Sequence, residues 1–327
     1  MRRRAFGGLI AGALLAAPLS AGAQQPGKTY RIAFLSLLPG EDTKWLKLVI
    51  DRLRELGYRE GQNIAVEYRS AEGHAERLPQ LAGELVAMRP DVLIAGFGTI
   101  AAKAAKAATT TIPVVFTTVG DPVGAGVIAS LARPGGNVTG LTDQARDLSG
   151  KRLELLREAT GGKTRFAVLM NPETPYSALA THEIKSEAQS RQIRITVLEA
   201  RNFDDVSQRL REIGNNDVAG VVVLGDPLTI SVRSEIADLV ARYRLPAIFQ
   251  FRESVEAGGL MSYGADRRQI YIRAAEFVDK VLRGAKPADL PVEQPTRFEY
   301  VVNLKAARAI SLELPQSLLA RADEVIE

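Results

Sequence analysis

The chain predicts an α/β fold of two doubly wound, parallel-sheet lobes joined by a hinge. Short β-branched runs alternate with amphipathic helical stretches along most of its length, the pattern of parallel strands joined by crossover helices. The alternation runs through two rounds, and each contains a strand ending in the same corner: Gly120-Asp121-Pro122 after VVFTTV and Gly225-Asp226-Pro227 after GVVVL. The 327 residues are also enough for two ordinary domains. At each corner Gly breaks the strand and Asp takes a helix N-cap, where its oxygen accepts first-turn N–H groups. Pro follows at N1, where no N–H is lost. Such corners expose helix N-termini at the carboxyl ends of strands, where open α/β sheets bind ligands.

The elements follow in order. RIAFLS (31–36) reads as the first strand. The turn Leu37-Leu38-Pro39-Gly40 leads to a helix over 41–56 with Trp45, Val49, Leu53 and Leu56 on one face and Gly57 at C′. Strand two spans 63–68, a helix 76–88, strand three 91–95 and an alanine-rich helix 100–108. Strand four, 114–119, runs into the first corner and a helix opened by Pro122. The turn Pro134-Gly135-Gly136 leads to strand five, 137–141. The second round reads helix 148–159, strand 165–170, helix 176–191, strand 193–198, helix 203–213, strand 220–224, the second corner and helix 230–243. Strands 246–251 and 260–263 come next, then helix 267–282 ending at Gly284, a proline-rich connector over 286–295 and strand 298–303. The tail reads as helical over 305–310 and 316–325. The first corner follows strand four of its round and the second follows strand three, so the repeat is one of architecture, not a sequence duplication.

The N-terminus sets the compartment. Arg2, Arg3 and Arg4 precede an apolar stretch, 5–18, and Ala21-Gly22-Ala23 forms a cleavage site, which makes 1–23 a signal peptide and the mature protein periplasmic. Arg3-Arg4-Ala5-Phe6 resembles a twin-arginine signal without its preceding Ser or Thr. The apolar stretch falls short of the ~20 residues of a membrane span, and no later stretch is long and apolar enough to be one. With the leader removed the formal charge falls from +4 to +1, so nothing points to nucleic acid. The sequence has no cysteine, which excludes disulfides, thiol catalysis and a lipid-modified cysteine.

Several chemistries lack an anchor. GAQQPGKT (22–29) matches the phosphate-loop pattern, but it straddles the cleavage site and leads into a strand, whereas a phosphate loop follows a strand and opens a helix. The first strand carries no dinucleotide glycine fingerprint, and there is no nucleophile elbow. His74 and His182 lie far apart in polar surroundings, so neither a metal site nor a cofactor is expected. What stands out is a set of polar residues at strand ends: Ser36, Thr99, Thr118, Asp121, Asn171, Asp226 and the group Gln250, Arg252, Glu253. Beside helix N-termini these suit an anionic or zwitterionic small molecule. Capping alone accounts equally well for Thr99, Asp121 and Asp226, and turn initiation for Asn171-Pro172. Arg252, a long cation just after an apolar strand, requires a carboxylate or a cleft.

These residues bring out a family resemblance. The chain resembles ABC-transporter substrate-binding proteins of the tryptophan/tyrosine-binding type, a branch with the type I periplasmic-binding fold. The likeness covers nearly the whole mature chain. It runs through Leu56-Gly57-Tyr58, Gly61-Gln62-Asn63, Arg89-Pro90-Asp91, Ile112-Pro113-Val114-Val115-Phe116 and Asp121-Pro122-Val123-Gly124-Ala125-Gly126. It continues through Arg133-Pro134-Gly135-Gly136-Asn137-Val138-Thr139-Gly140, Asn171-Pro172 and Leu290-Pro291-Val292-Glu293. The resemblance implies a two-lobe receptor that closes on a solute and presents it to an inner-membrane ABC permease, a role for which a monomer suffices. Carried over by position, the site includes Thr99, Asp121, Asn171, Ser177 and Asp226. Amino-acid-binding members have Asn-Pro-Gly-Glu-x-Asn-Ser where this chain has Asn171-Pro172-Glu173-Thr174-Pro175-Tyr176-Ser177, and Asn where it has Pro227. The second lobe's wall therefore departs from theirs, with Tyr176 placed either to stack on a flat ligand or to fill space.

The lobes this implies are 29–141 plus 265–290 and 142–264 plus 291–327, with the hinge near 141–143, 263–265 and the connector before Phe298. The expected function is capture of a small amino-acid-like or carboxylate-bearing molecule by hinge closure. A ligand-sensing subunit for a signalling receptor is the alternative from another class, and an exported hydrolase a third.

Overall fold

A computed structural model describes residues 28–38, 42–214 and 218–327. The expected signal peptide, 1–23, and the Pro39-Gly40 turn lie outside the described residues.

The first sheet is wholly parallel, in the order β2-β1-β3-β4-β5. Its strands are β1 (Tyr30–Ser36), β2 (Ile64–Ser70), β3 (Val92–Ala95), β4 (Val114–Val119) and β5 (Val138–Thr142), with helices α1 (Asp42–Glu55), α2 (Leu78–Ala87) and α3 (Thr99–Ala108) between them. β3 and β4 are buried along their whole lengths, as near-continuous apolar runs in a sheet covered on both faces should be.

The chain then crosses to the second sheet. α4 (Ser149–Ala159), β6 (Arg165–Met170), α5 (Pro175–Ser190), β7 (Arg194–Glu199), α6 (Phe203–Gly214), β8 (Val221–Val223), α7 (Pro227–Ser231), α8 (Arg233–Arg242), β9 (Ala247–Phe249), α9 (Arg252–Glu256) and β10 (Met261–Ala265) follow in order. It crosses back for α10 (Arg267–Leu282), whose Ile270, Tyr271, Ala274, Phe277 and Val278 share a core with Phe34, Val49, Leu53 and Ile94 of the first sheet and α1. It returns for β11 (Phe298–Asn303), α11 (Leu304–Ala309), α12 (Gln316–Leu319) and β12 (Glu324–Ile326). The second sheet has the order β12-β11-β10-β9-β8-β6-β7. Two of the crossings are tied together: Thr142 N–H donates to the Glu293 carbonyl (3.0 Å), and Glu293 N–H to the Gly140 carbonyl (3.1 Å).

Four expectations need correction. The second sheet is mixed, because β11 runs antiparallel to β10. Pro122 opens one turn and no helix. Asp121 caps Gly124 N–H at 2.7 Å, but Gly126 adopts a left-handed φ of 73°, and the N–H groups of Val127 and Ile128 both return to the Pro122 carbonyl. The helix expected at 230–243 begins earlier, at Pro227, and divides at Val232 into α7 and α8. The tail is helical only to Leu319; residues 324–326 instead pair in parallel with β11, Val302 opposite Val325. The short α9 has no counterpart in the sequence reading.

Candidate functional site

The carboxyl ends of both sheets face one another across a narrow, nearly closed cleft. Phe97, Gly98, Thr99 and Ile100 line it from the β3–α3 junction, Thr118 and Gly120 from the end of β4, and Asp143 from the first crossing. Thr174 and Tyr176 come from the start of α5, and Gly225, Asp226 and Pro227 from the β8–α7 corner.

Local backbone features aim these groups. Between β4 and β5 the register shifts: Phe116 faces Gly140, but Val119 faces Thr142, so β4 carries one extra residue. Such a bulge re-aims a side chain, and here it turns Thr118, a β-branched residue at φ 54°, toward the cleft. A residue of this kind at positive φ is held there by its surroundings at a cost of about 1–3 kcal/mol, a strain that collects at functional sites. Phe97 has φ 35°, and its N–H is held at 3.3 Å by both Thr117 Oγ1 and Tyr271 Oη. Gly98 follows at φ 92° as the N-cap of α3, which has no side-chain cap. α5 likewise starts at Thr174 and Pro175 without one.

The polar lining divides into satisfied and unsatisfied groups. Asp226 is a capping-box residue: Oδ1 accepts Thr229 N–H at 3.0 Å and Oδ2 accepts Asn171 N–H at 3.3 Å. Burial pushes its carboxyl up to about 6, against the opposing pull of the Thr229, Leu228 and Asn171 N–H groups. Asp143 is also buried and raised by burial, opposed by Ala145 N–H and by the charges of Arg152 and Arg267. Tyr176 Oη is bonded to the Gly225 carbonyl and lies 3.1 Å from Gln250 Oε1. By contrast, the hydroxyls of Thr99, Thr118 and Thr174 are buried and have no hydrogen-bond partner among the described residues. Buried polar groups are almost always paired, so three open hydroxyls lining one cleft make it the candidate place for a polar ligand.

The lobes also touch through groups that are not open. Phe97 and Phe251 meet edge to face across the divide, ring centroids 6.0 Å apart, in a small cluster with Leu38 and Ile230. The buried guanidinium of Arg267 sits 4.4 Å from the Trp45 ring centroid, 4.6 Å from Phe97 and 5.0 Å from Phe251. The Glu253 carboxylate lies 3.6 Å away. Gly120 lies so close to the Tyr176 ring that a Cβ there would come within 3.1 Å of it.

Of the residues singled out from sequence, Thr99, Thr118, Tyr176 and Asp226 line the cleft. Ser177 lies beside them on α5, fully buried with its hydroxyl unpaired, but it is not a lining residue. The Asn171 side chain closes a turn by accepting Glu173 N–H at 3.0 Å. Ser36 donates to the Leu38 carbonyl at 3.1 Å. Asp121 lies in a neighbouring depression, ion-paired to Arg146 at 2.8 Å. Arg252 points outside the cleft, where it meets Glu256 at 2.9 Å, Glu299 at 3.2 Å and Glu324 at 2.7 Å. Phe97, Asp143 and Thr174 are lining residues that sequence reasoning missed. Asp143 fell inside the expected hinge, and Thr174 was weighed only as a departure from the amino-acid-binding pattern.

Among the described residues no three His, Cys, Asp or Glu side chains cluster to hold a metal ion, and no helix is long and apolar enough to cross a membrane. A family model described as "ABC transporter substrate binding protein" matches residues 39–326. A "Tyrosine-binding protein" of Clostridioides difficile is 28% identical over 265 residues, covering 81% of this chain and 75% of that one. Among solved structures, a conserved domain protein from Vibrio cholerae superposes with a TM-score of 0.86 at 29% identity, over 91% of this chain and 100% of its own. An ABC domain from Streptococcus pneumoniae in complex with L-Trp gives 0.82 at 25% identity, over 90% and 100%.

Proposed function

Since this chain belongs to the ABC transporter substrate-binding protein family, we propose that it is the exported solute receptor of an ABC importer, working in the periplasm. It closes its two lobes on a small amino-acid-like or carboxylate-bearing molecule and presents the closed form to a membrane permease. The observation that carries this reading is the set of unpaired, buried hydroxyls of Thr99, Thr118 and Thr174, drawn from both lobes and lining one cleft. The uncapped N-termini of α3 and α5 lie beside them and suit an anionic group. The family match and the tryptophan-bound neighbour support a binding role. The tyrosine-binding relative and the tryptophan complex make amino acids the first solutes to try.

Thermal unfolding against a panel of amino acids, organic acids and other small metabolites tests the reading. A ligand at a hundred times its Kd adds about 2.7 kcal/mol, which lifts the melting temperature of lobes this size by several degrees. A panel that leaves the melting temperature unmoved throughout would overturn it.

A further inference from the structure

We propose that Tyr176 sets the size limit of the cleft: its ring takes the space a bulky ligand substituent needs, so the receptor selects compact polar solutes and rejects aromatic ones. This rests on the receptor reading and narrows it, from small amino-acid-like or carboxylate-bearing molecules to those without an aromatic group.

The ring is held at its polar end and on one face. Tyr176 follows Pro175 in the first turn of α5 and is 4% exposed. Its Oη donates to the Gly225 carbonyl and lies 3.1 Å from Gln250 Oε1, an oxygen that already accepts Gly225 N–H at 3.1 Å. Burial first, then the charges of Asp226 and Asp143, raise the phenol well above its ordinary range against the pull of Arg152, so it stays a donor to that carbonyl. The face rests on the other lobe. A Cβ on Gly120, at the end of β4, would lie 3.1 Å from two ring carbons of Tyr176 and 3.1 Å from the Ala145 Cβ. Gly120 is not among the residues with a left-handed φ, so its backbone does not call for glycine; the ring does. Gly120 and Tyr176 both line the cleft, one from each lobe.

A ligand ring would have to displace this one. Tyr176 would then leave a core it shares with Ala145, Met170, Ala180 and Leu224, and the Gly225 carbonyl would lose its donor. What stays open to a solute is the set of Thr99, Thr118 and Thr174 hydroxyls, buried and unpaired among the described residues, in a cleft already nearly closed. Hydroxyls both donate and accept, so this wall leaves the charge of the solute free while the ring limits its size.

The test is isothermal titration of the mature protein with two series. One is glycine, L-alanine, L-serine, L-phenylalanine, L-tyrosine and L-tryptophan; the other is acetate, propanoate, lactate, 3-phenylpropanoate and 3-(4-hydroxyphenyl)propanoate. The wild type is expected to bind a compact member at least about tenfold more tightly than any aromatic member. Tyr176→Ala removes the ring, and apolar cavities on the order of 150 Å³ accept benzene. It should raise affinity for aromatic members at least about tenfold and leave compact members without that gain. Tyr176→Phe keeps the ring and should keep the exclusion, which separates size from the lost hydroxyl. Aromatic members binding the wild type as tightly as compact ones would overturn the inference and leave the receptor reading intact, and this requires no variant to fold. A folded Tyr176→Ala that gains nothing for aromatic members would also overturn it; should that variant not fold, the wild-type order of the two classes decides. Silence of both series toward the wild type overturns it unless Tyr176→Ala gains the aromatic members, while the receptor reading fails only if the wider metabolite panel is silent as well.

Discussion

Burial lifts the Asp226 carboxyl from 3.8 to about 6, so the folded chain holds this proton more tightly than the unfolded chain does. Between roughly pH 4 and pH 6 the native state binds more protons than the unfolded one, and stability falls as pH rises through that window. At pH 7 ionised Asp226 weighs against folding by about 3 kcal/mol relative to its protonated form. Urea unfolding at a series of pH values should show the wild type gaining on Asp226→Asn as pH drops from 7.5 to 4.5. A difference that stays flat would mean the group is not titrating in a buried site. At this scale the cleft was partly legible. Thr99, Thr118 and Asp226 are found because the strand-end rule is local, and Tyr176 because it departs from the amino-acid-binding pattern. Most partners of Asp121 and Arg252 are not local: Arg146, Glu299 and Glu324 reach them from distant elements, and only Glu256, four residues on from Arg252 in α9, follows a spacing the sequence shows.

β10 joins the two halves of the second sheet, parallel to β9 on one side and antiparallel to β11 on the other. Gly264 is the reason it can lie so close to the end of β9: a Cβ there would fall 2.0 Å from the Gln250 carbonyl oxygen. Gly264→Ala should therefore destabilise the protein by at least about 2–3 kcal/mol, a backbone clash having no side chain to yield. Gly83→Ala, in the interior of α2 with open space around it, should stabilise it by about 0.4–1 kcal/mol. Denaturant midpoints for the two variants check both signs. Most elements were legible because helical and strand periodicity are properties of short windows. β12 was not, since residues 324–326 are a strand only by virtue of pairing with β11. The Pro122 turn was not either, because its carbonyl is claimed by N–H groups beyond the next turn.

Over the whole molecule, the two-sheet plan follows from strand–helix alternation, but the way the lobes meet does not. Trp45, Phe97, Phe251 and Arg267 come from four separated stretches, and only the folded chain assembles them into one contact. Phe251→Ala should loosen that contact while leaving each sheet's own core intact. Small-angle scattering should then show a larger radius of gyration for the variant than for the wild type; an equal value would mean that Phe251 does not hold the lobes together.

The Arg267 cage bears on how the receptor works in a crowd. Its rings and cation belong to the protein, so part of the attraction between lobes is present whatever the solute concentration. A carrier built this way adopts the closed outline in part of its unloaded population, and solute raises that part. On the proposed role, unloaded copies would then queue at the permease beside loaded ones. Uptake would follow the loaded fraction of the pool, not its size, and making more receptor at scarce solute would slow delivery.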